Sequence, residues 1–251
     1  MSDYFLKKYR PKSLDAFLFP NDRAEIEVRT YTDAKRHGHI FFYGPPGTGK
    51  TLLTRLMPRA IYAGAEWEMY RKNSVYTFDA KTDYDRNTLI ERMRKTFSVS
   101  PLPGFDGDRR IGIINELDDI VTRQVALLKV ILDFFDGEDY WPPVMLLCTA
   151  NTTKFPEAVQ NRMNTINIFA PPIERLLIYG RYILVAEGKS LSNEKITELA
   201  ERAAGSVRGF IRELEGAVYR QGVEAKGMKF FELPDKPSSE DKKEPKSAKA
   251  A

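Results

Sequence analysis

Cysteine is nearly absent: Cys148 stands alone, so no internal disulfide can form, and the chain reads as the product of a reducing compartment. No run of about 18 apolar residues occurs, which argues against a membrane-spanning helix and a membrane partner. The first dozen residues are polar and aromatic, unlike the apolar core of a secretory leader. A strong charge of one sign is lacking too. Lys and Arg total 39 against 35 Asp and Glu, a net +4, which permits nucleic-acid contact without arguing for it. Between residues 234 and 251 there is no Leu, Ile, Val, Met or aromatic residue. Such a stretch cannot bury enough apolar surface to offset its ordering entropy, so a disordered tail is expected there.

The remainder has globular composition, with 42 % hydrophobic residues, which excludes a wholly disordered or collagen-like chain. The 251 residues allow one or two domains. Five short apolar runs read as strands: residues 39–43, 74–78, 110–114, 144–149 and 165–169. Helical spacing lies between them, at Leu89, Ile90, Met93 and Phe97 and at Leu127, Leu128, Ile131 and Phe135. Strands alternating with helices indicate a parallel sheet covered on both faces. After Pro171 and Pro172 the strand signals stop. Three helices are expected over residues 173–187, 193–204 and 206–225, with Asn193 as an N-cap and Gly188 and Gly205 as stops. The expected division is an α/β domain over 1–170, a small helical domain over 171–233 and the tail over 234–251.

The segment Gly44-Pro45-Pro46-Gly47-Thr48-Gly49-Lys50-Thr51 fits G-x-x-x-x-G-K-[ST] between an expected strand and an expected helix. In such a P-loop the glycines let backbone N–H groups face a phosphate chain, and the following helix points its positive end at the same place. Lys50 would reach the β- and γ-phosphates and Thr51 would ligate Mg²⁺, making ATP and Mg²⁺ the expected cofactors. The third strand ends in Asn115-Glu116-Leu117-Asp118. Glu116 is placed to polarise an attacking water, while Asn115 stands where a Mg²⁺-organising aspartate is usual and offers only a neutral amide, acting through water. The fourth strand ends in Thr149-Ala150-Asn151. A polar group there would lie between the P-loop and the Glu116 strand, Asn151 being the first choice and Thr149 the second. Arg162 and Arg208 are further candidates, each an ordinary surface charge if read alone.

Together these residues resemble an AAA+ ATPase of the clamp-loader clade, such as the small subunits of replication factor C and phage or bacterial clamp-loader ATPases. Lys8-Tyr9-Arg10-Pro11 resembles the family's N-terminal K-Y-R-P box, which lies against the adenine pocket. Asn115 to Asp118 resembles its D-E-x-D box. Residues 149–163 resemble sensor 1 followed by the S-R-C motif, and residues 205–208 the sensor 2 motif. The resemblance implies a five-stranded parallel P-loop sheet with flanking helices, followed by a three-helix lid. It implies Tyr9, Arg10 and Pro11 at the nucleotide, Arg208 on the γ-phosphate in cis, and Arg162 as an arginine finger acting in trans on a neighbouring subunit. It further implies ATP hydrolysis coupled to assembly, an oligomer with other such subunits, primer–template DNA and a sliding clamp as partners, and a soluble intracellular setting, cellular or phage-encoded. Lys81, Arg86 and Arg123 would contact DNA phosphates.

The departures set the alternatives. Asn115 replaces the family's aspartate, and Asn161 and Met163 flank Arg162 in place of serine and cysteine. These changes suit an ATP-binding, weakly hydrolysing structural subunit. The family's helical collar domain has no counterpart before the polar tail, which leaves open a partner-supplied collar or an ATPase that loads or remodels a helicase or recombination protein.

Overall fold

The computed structural model describes residues 4–34, 36–62, 67–68, 71, 74–79, 91–93, 95–97, 109–118, 144–151, 157 and 161–224. Five strands are described: β1 His39–Tyr43, β2 Val75–Asp79, β3 Arg110–Asn115, β4 Val144–Ala150 and β5 Met163–Asn167. They form one sheet in the order β2-β3-β4-β1-β5, and each pair runs parallel. The inner strands are buried along nearly their whole length, only Asn115 at the end of β3 and Val144 at the start of β4 being partly exposed. That is why they read as continuous apolar runs rather than as alternation. β5 begins two residues earlier than its apolar run suggests, because it pairs with β1 from Met163 opposite His39. As an edge strand, it tolerates exposed Thr165 and Asn167.

Six helices are numbered here in chain order: α1 Tyr4–Lys8, α2 Asp22–Thr32, α3 Lys50–Ile61, α4 Ile173–Ala186, α5 Asn193–Arg202 and α6 Val207–Glu224. Helix α2 was not foreseen in the sequence, although its signal is present. The Asn21 side chain accepts a hydrogen bond from Ala24 N at 2.8 Å, and Ala24, Val28 and Tyr31 bury one face. The last three helices form where expected. The N-cap of α5 is Ser192 rather than Asn193: the Ser192 hydroxyl accepts from Lys195 N at 3.2 Å. Asn193 Oδ1 instead accepts from Arg181. The apolar positions at 127–135 and the segment 225–251 lie outside the described residues.

Two apolar clusters organise the molecule. One joins the sheet to α2 and α3 through Ile40, Phe42, Leu53, Met57, Ile111 and Leu147. The other joins α4, α5 and α6 through Leu176, Ile183, Leu199, Phe210 and Leu214. The N-terminal segment belongs to both. Phe5 and Tyr9 are buried among the last three helices, whereas Leu14, Phe17 and Phe19 are buried against the sheet side. Polar ties follow the same route. Lys8 Nζ and Tyr9 OH both donate to Glu187 Oε1, at 2.7 and 2.5 Å. Arg175 donates to the Phe19 carbonyl at 3.0 Å and to Asp22 Oδ1 at 2.5 Å. Residues 4–19 thus act as a strap between the sheet and the terminal helices.

Candidate functional site

The strand order determines where a site can open. The chain passes from β1 in the sheet interior to β2 at the far edge, then returns through β3 and β4. Crevices at such a reversal lie beyond the carboxyl ends of the strands. A cavity of about 550 Å³ occupies this place. Its wall combines residues 46–52 of the P-loop, Glu116 after β3, Asn151 after β4, Arg208 at the start of α6, and Arg10 and Pro11 of the strap. Because β4 lies between β1 and β3, Asn151 sits between the P-loop and Glu116.

The loop owes its shape to glycine. Gly47 adopts φ +84°, and a Cβ placed there would lie 2.2 Å from Ser206 Oγ. Gly49 adopts φ +101°, and its Cβ would meet the Phe17 ring at 2.9 Å. Both conformations disfavour L side chains, and both positions leave no room for one. Arg208 N donates to Gly47 O at 3.1 Å, so the start of α6 rests directly on the loop. Ser206 Oγ accepts from Gly209 N at 3.0 Å, capping that helix.

Lys50 is 7 % exposed. Its ammonium donates to Gly44 O at 2.7 Å and to Pro45 O at 2.8 Å. Burial pulls its pKa down to about 8, opposed by the charges of Asp118 and Glu116 and assisted by Arg208. Thr48 is buried, with its hydroxyl on Pro45 O at 3.0 Å. Thr51 lines the cavity at the first turn of α3.

Glu116 is one of two non-glycine residues with positive φ among the described residues, at +57°. Its N–H donates to Thr149 Oγ1 at 3.1 Å. Thr149 is buried and holds Glu116 rather than facing the cavity. Asn115 ends β3 opposite Asp79. Its Oδ1 is buried without a hydrogen-bond partner among the described residues.

The site departs from the sequence reading at Tyr9, Gly44 and Pro45, none of which lines the cavity. Tyr9 is not on the cavity wall. Its ring is buried among the terminal helices, and its carbonyl accepts from Tyr179 OH at 2.5 Å. Tyr179 itself lines the cavity, with Leu6, Phe17, Leu18, Val207 and Ile211. No motif in the sequence signals these apolar wall residues, since strap, α4 and α6 meet only in the fold. Gly44 and Pro45 serve through their carbonyls behind Lys50. Arg162 is exposed in the turn before β5. Met163 pairs with His39 at the start of β1, so Arg162 lies at the opposite end of the sheet from the P-loop. Four residues of β1 alone span about 13 Å. Lys81, Arg86 and Arg123 lie outside the described residues.

The cavity fits a nucleotide carrying its own metal ion. Its volume is in the usual range for small-ligand sites, and the glycine cradle, the start of α3 and Lys50 converge on one end while the apolar wall forms the other. Among the described residues no group of three or more His, Cys, Asp or Glu could hold a metal, so phosphate oxygens would have to complete the coordination of any Mg²⁺.

Comparison with known proteins agrees with this geometry. The family model described as "ATPase family associated with various cellular activities (AAA)" matches residues 40–171. Replication factor C small subunit 2 of Pyrobaculum aerophilum is 26 % identical over 216 residues, covering 86 % of this chain and 64 % of that protein. Replication factor C subunit 3 of Arabidopsis thaliana is 22 % identical over 236 residues, covering 84 % of this chain and 65 % of that protein. The chain therefore spans just under two thirds of the length of these curated relatives. Among solved structures, the Thermotoga maritima RuvB Holliday junction branch migration motor superposes with a TM-score of 0.64 at 16 % identity, covering 87 % of this chain and 67 % of that one, a likeness of fold. With this match over the sheet and P-loop, the chain belongs to the AAA family of ATPases, and within it is similar to the small subunits of replication factor C.

Proposed function

We propose that this chain is an ATP-driven, clamp-loader-like subunit that assembles with similar subunits on primer–template DNA and loads a sliding clamp during replication. One observation carries the reading. The P-loop, Glu116, Asn151 and Arg208 share a cavity, while Arg162 is exposed at the far end of the sheet. With Arg208 on the cavity wall and Arg162 exposed on a remote surface, the arrangement suits completion of the site by a neighbouring subunit.

In this reading the N–H groups of residues 47–51 and the Lys50 ammonium bind the phosphates, and Arg10, Pro11, Tyr179 and Ile211 enclose the base. Thr51, and Asn115 through water, would hold Mg²⁺, which supplies positive charge to the phosphate oxygens. Glu116 polarises the attacking water and accepts its proton. Asn151 orients that water or the terminal phosphate. Arg208 in cis and a neighbour's Arg162 in trans neutralise charge developing on the transferred phosphoryl group. Hydrolysis thereby depends on assembly. The similarity to replication factor C small subunits supports the choice of DNA and clamp as partners. The positions of the domains, with strands ending at Asn167 and only helices described from Ile173, suit a sheet domain with a three-helix lid over the nucleotide.

Steady-state ATP turnover against protein concentration, with and without primed DNA, tests the reading. A steep rise with concentration and stimulation by DNA are expected. Glu116→Gln should bind ATP and lose turnover; unchanged turnover in that variant would refute the assignment. The second reading, a weakly hydrolysing structural subunit, rests on Asn115. Asn115→Asp distinguishes the two, because a large gain in turnover would favour the structural role.

A further inference from the structure

We infer that Asp118 is a positioning residue of the site, fastening the ends of β3 and β4 so that Asn151 is held beside Glu116. The inference rests on the nucleotide reading of the cavity and adds a residue to it. The β3–β4 ladder ends at Ile114 opposite Cys148. Beyond that pair no further backbone register joins the two strands, and the residues after their ends, Glu116 and Asn151, line the cavity. Two side-chain bonds in opposite directions span the gap: Glu116 N donates to Thr149 Oγ1 at 3.1 Å, and Asn151 N donates to Asp118 Oδ2 at 3.0 Å.

The kink at Glu116, φ +57°, makes the second bond possible. An extended residue there would carry the chain on past the sheet. The left-handed turn instead starts a helical segment at residues 117 and 118, and fully buried Leu117 anchors it. The carboxylate of Asp118 is thereby returned over the end of β4. Asp118 is absent from the cavity wall, whereas Asn151 is on it, so Asp118 acts from behind. A backbone N–H held by a carboxylate is a charge-assisted bond, stronger than a neutral one. The same carboxylate adds its charge to that of Glu116 against Lys50.

Asp118→Ala and Asp118→Asn separate holding from charge, since asparagine keeps an oxygen acceptor for Asn151 N–H. Two readouts apply: hydrogen exchange at the Asn151 amide without nucleotide, and the ratio of affinities for a non-hydrolysable ATP analogue and ADP. For Asp118→Ala, exchange should quicken about tenfold or more and the affinity ratio should fall about tenfold, as expected for one lost hydrogen bond. ADP affinity should stay within about threefold. Asp118→Asn should restore both readouts to within about threefold of the parent. An Asp118→Asn variant as impaired as Asp118→Ala overturns the inference, as does an Asp118→Ala variant indistinguishable from the parent. If Asp118→Ala does not fold, Asp118→Asn decides alone, and loss of either readout overturns the inference. Absence of nucleotide binding in the parent protein would sink the functional reading instead, while the exchange readout would still test the fastening of the strand ends.

Discussion

Gly47→Ala tests the contact between the P-loop and α6. Gly47 sits at φ +84°, which costs an L residue about 1–2 kcal/mol. The new Cβ would lie 2.2 Å from Ser206 Oγ and 3.2 Å from Ser206 Cβ, so one side must yield. If Ser206 turns away, the Gly209 N–H loses its cap, worth about 1 kcal/mol. If α6 backs off, the Arg208 N–H to Gly47 O bond is lost, at a similar cost. The combined expectation is about 3 kcal/mol of destabilisation. Ser206→Gly alone should cost only a few tenths of a kcal/mol, since glycine is tolerated at an N-cap. In the double variant the clash disappears, and Arg208 Cβ at 3.5 Å is an ordinary contact. The two substitutions should therefore couple by about 1–2 kcal/mol in the stabilising direction. Thermal or urea unfolding of the four proteins measures this, with nucleotide affinity as a second axis. Additivity within about 0.5 kcal/mol would refute a direct contact between loop and helix.

Lys50 gives a pH prediction. Its pKa falls from an ordinary 10.5 to about 8, chiefly through burial. The folded protein thus binds fewer protons at Lys50 than the unfolded chain between pH 8 and 10.5. Its contribution makes stability rise with pH across that window, and the full cost of burying the cation is felt below 8. Phosphate binding needs the charged form, so nucleotide affinity should fall above pH 8 with proton uptake, measurable by calorimetry in buffers of different ionisation heat. Lys50→Met should abolish the uptake, and uptake persisting in that variant would exclude Lys50 as its source. Glu215 in α6 is 3 % exposed, and neither carboxylate oxygen has a hydrogen-bond partner among the described residues. Glu215→Leu should therefore raise the melting temperature, by a gain on the order of 1–3 kcal/mol, and a lower value would show that the carboxylate is satisfied in solution. Arg162→Ala and Glu116→Gln should each lose assembly-dependent turnover, yet an equal mixture should recover about a quarter of it by pairing intact Glu116 with a neighbour's intact Arg162. No recovery in mixed assemblies would refute action in trans.

Parts of the site were legible one segment at a time. The P-loop can be read because its chemistry is local: glycine, lysine and threonine at fixed spacing, between a strand and a helix. Glu116 and Asn151 can be read because each directly follows an apolar run. Tyr9 illustrates the limit of such reading. It shares a short motif with Arg10 and Pro11, but those two reach the cavity while its ring turns into the helical core to meet Glu187. Adjacent residues on an irregular strap face opposite ways, and no periodicity announces which.

The sequence by itself determined the alternation of strands and helices, the phosphate-binding loop, the three terminal helices and the polar tail's composition. These depend on propensity, spacing and apolar content within a few residues. Only the tertiary structure decided that β4 lies between β1 and β3, that Ser206 and Arg208 rest on Gly47, that Thr149 and Asp118 fasten the strand ends, and that Arg162 faces away from the cavity in its own chain. The cause is physical. Strand order and interhelix contact join residues some 30 to 160 positions apart, and the gain that selects them comes from burying two apolar clusters together, which no local segment encodes alone.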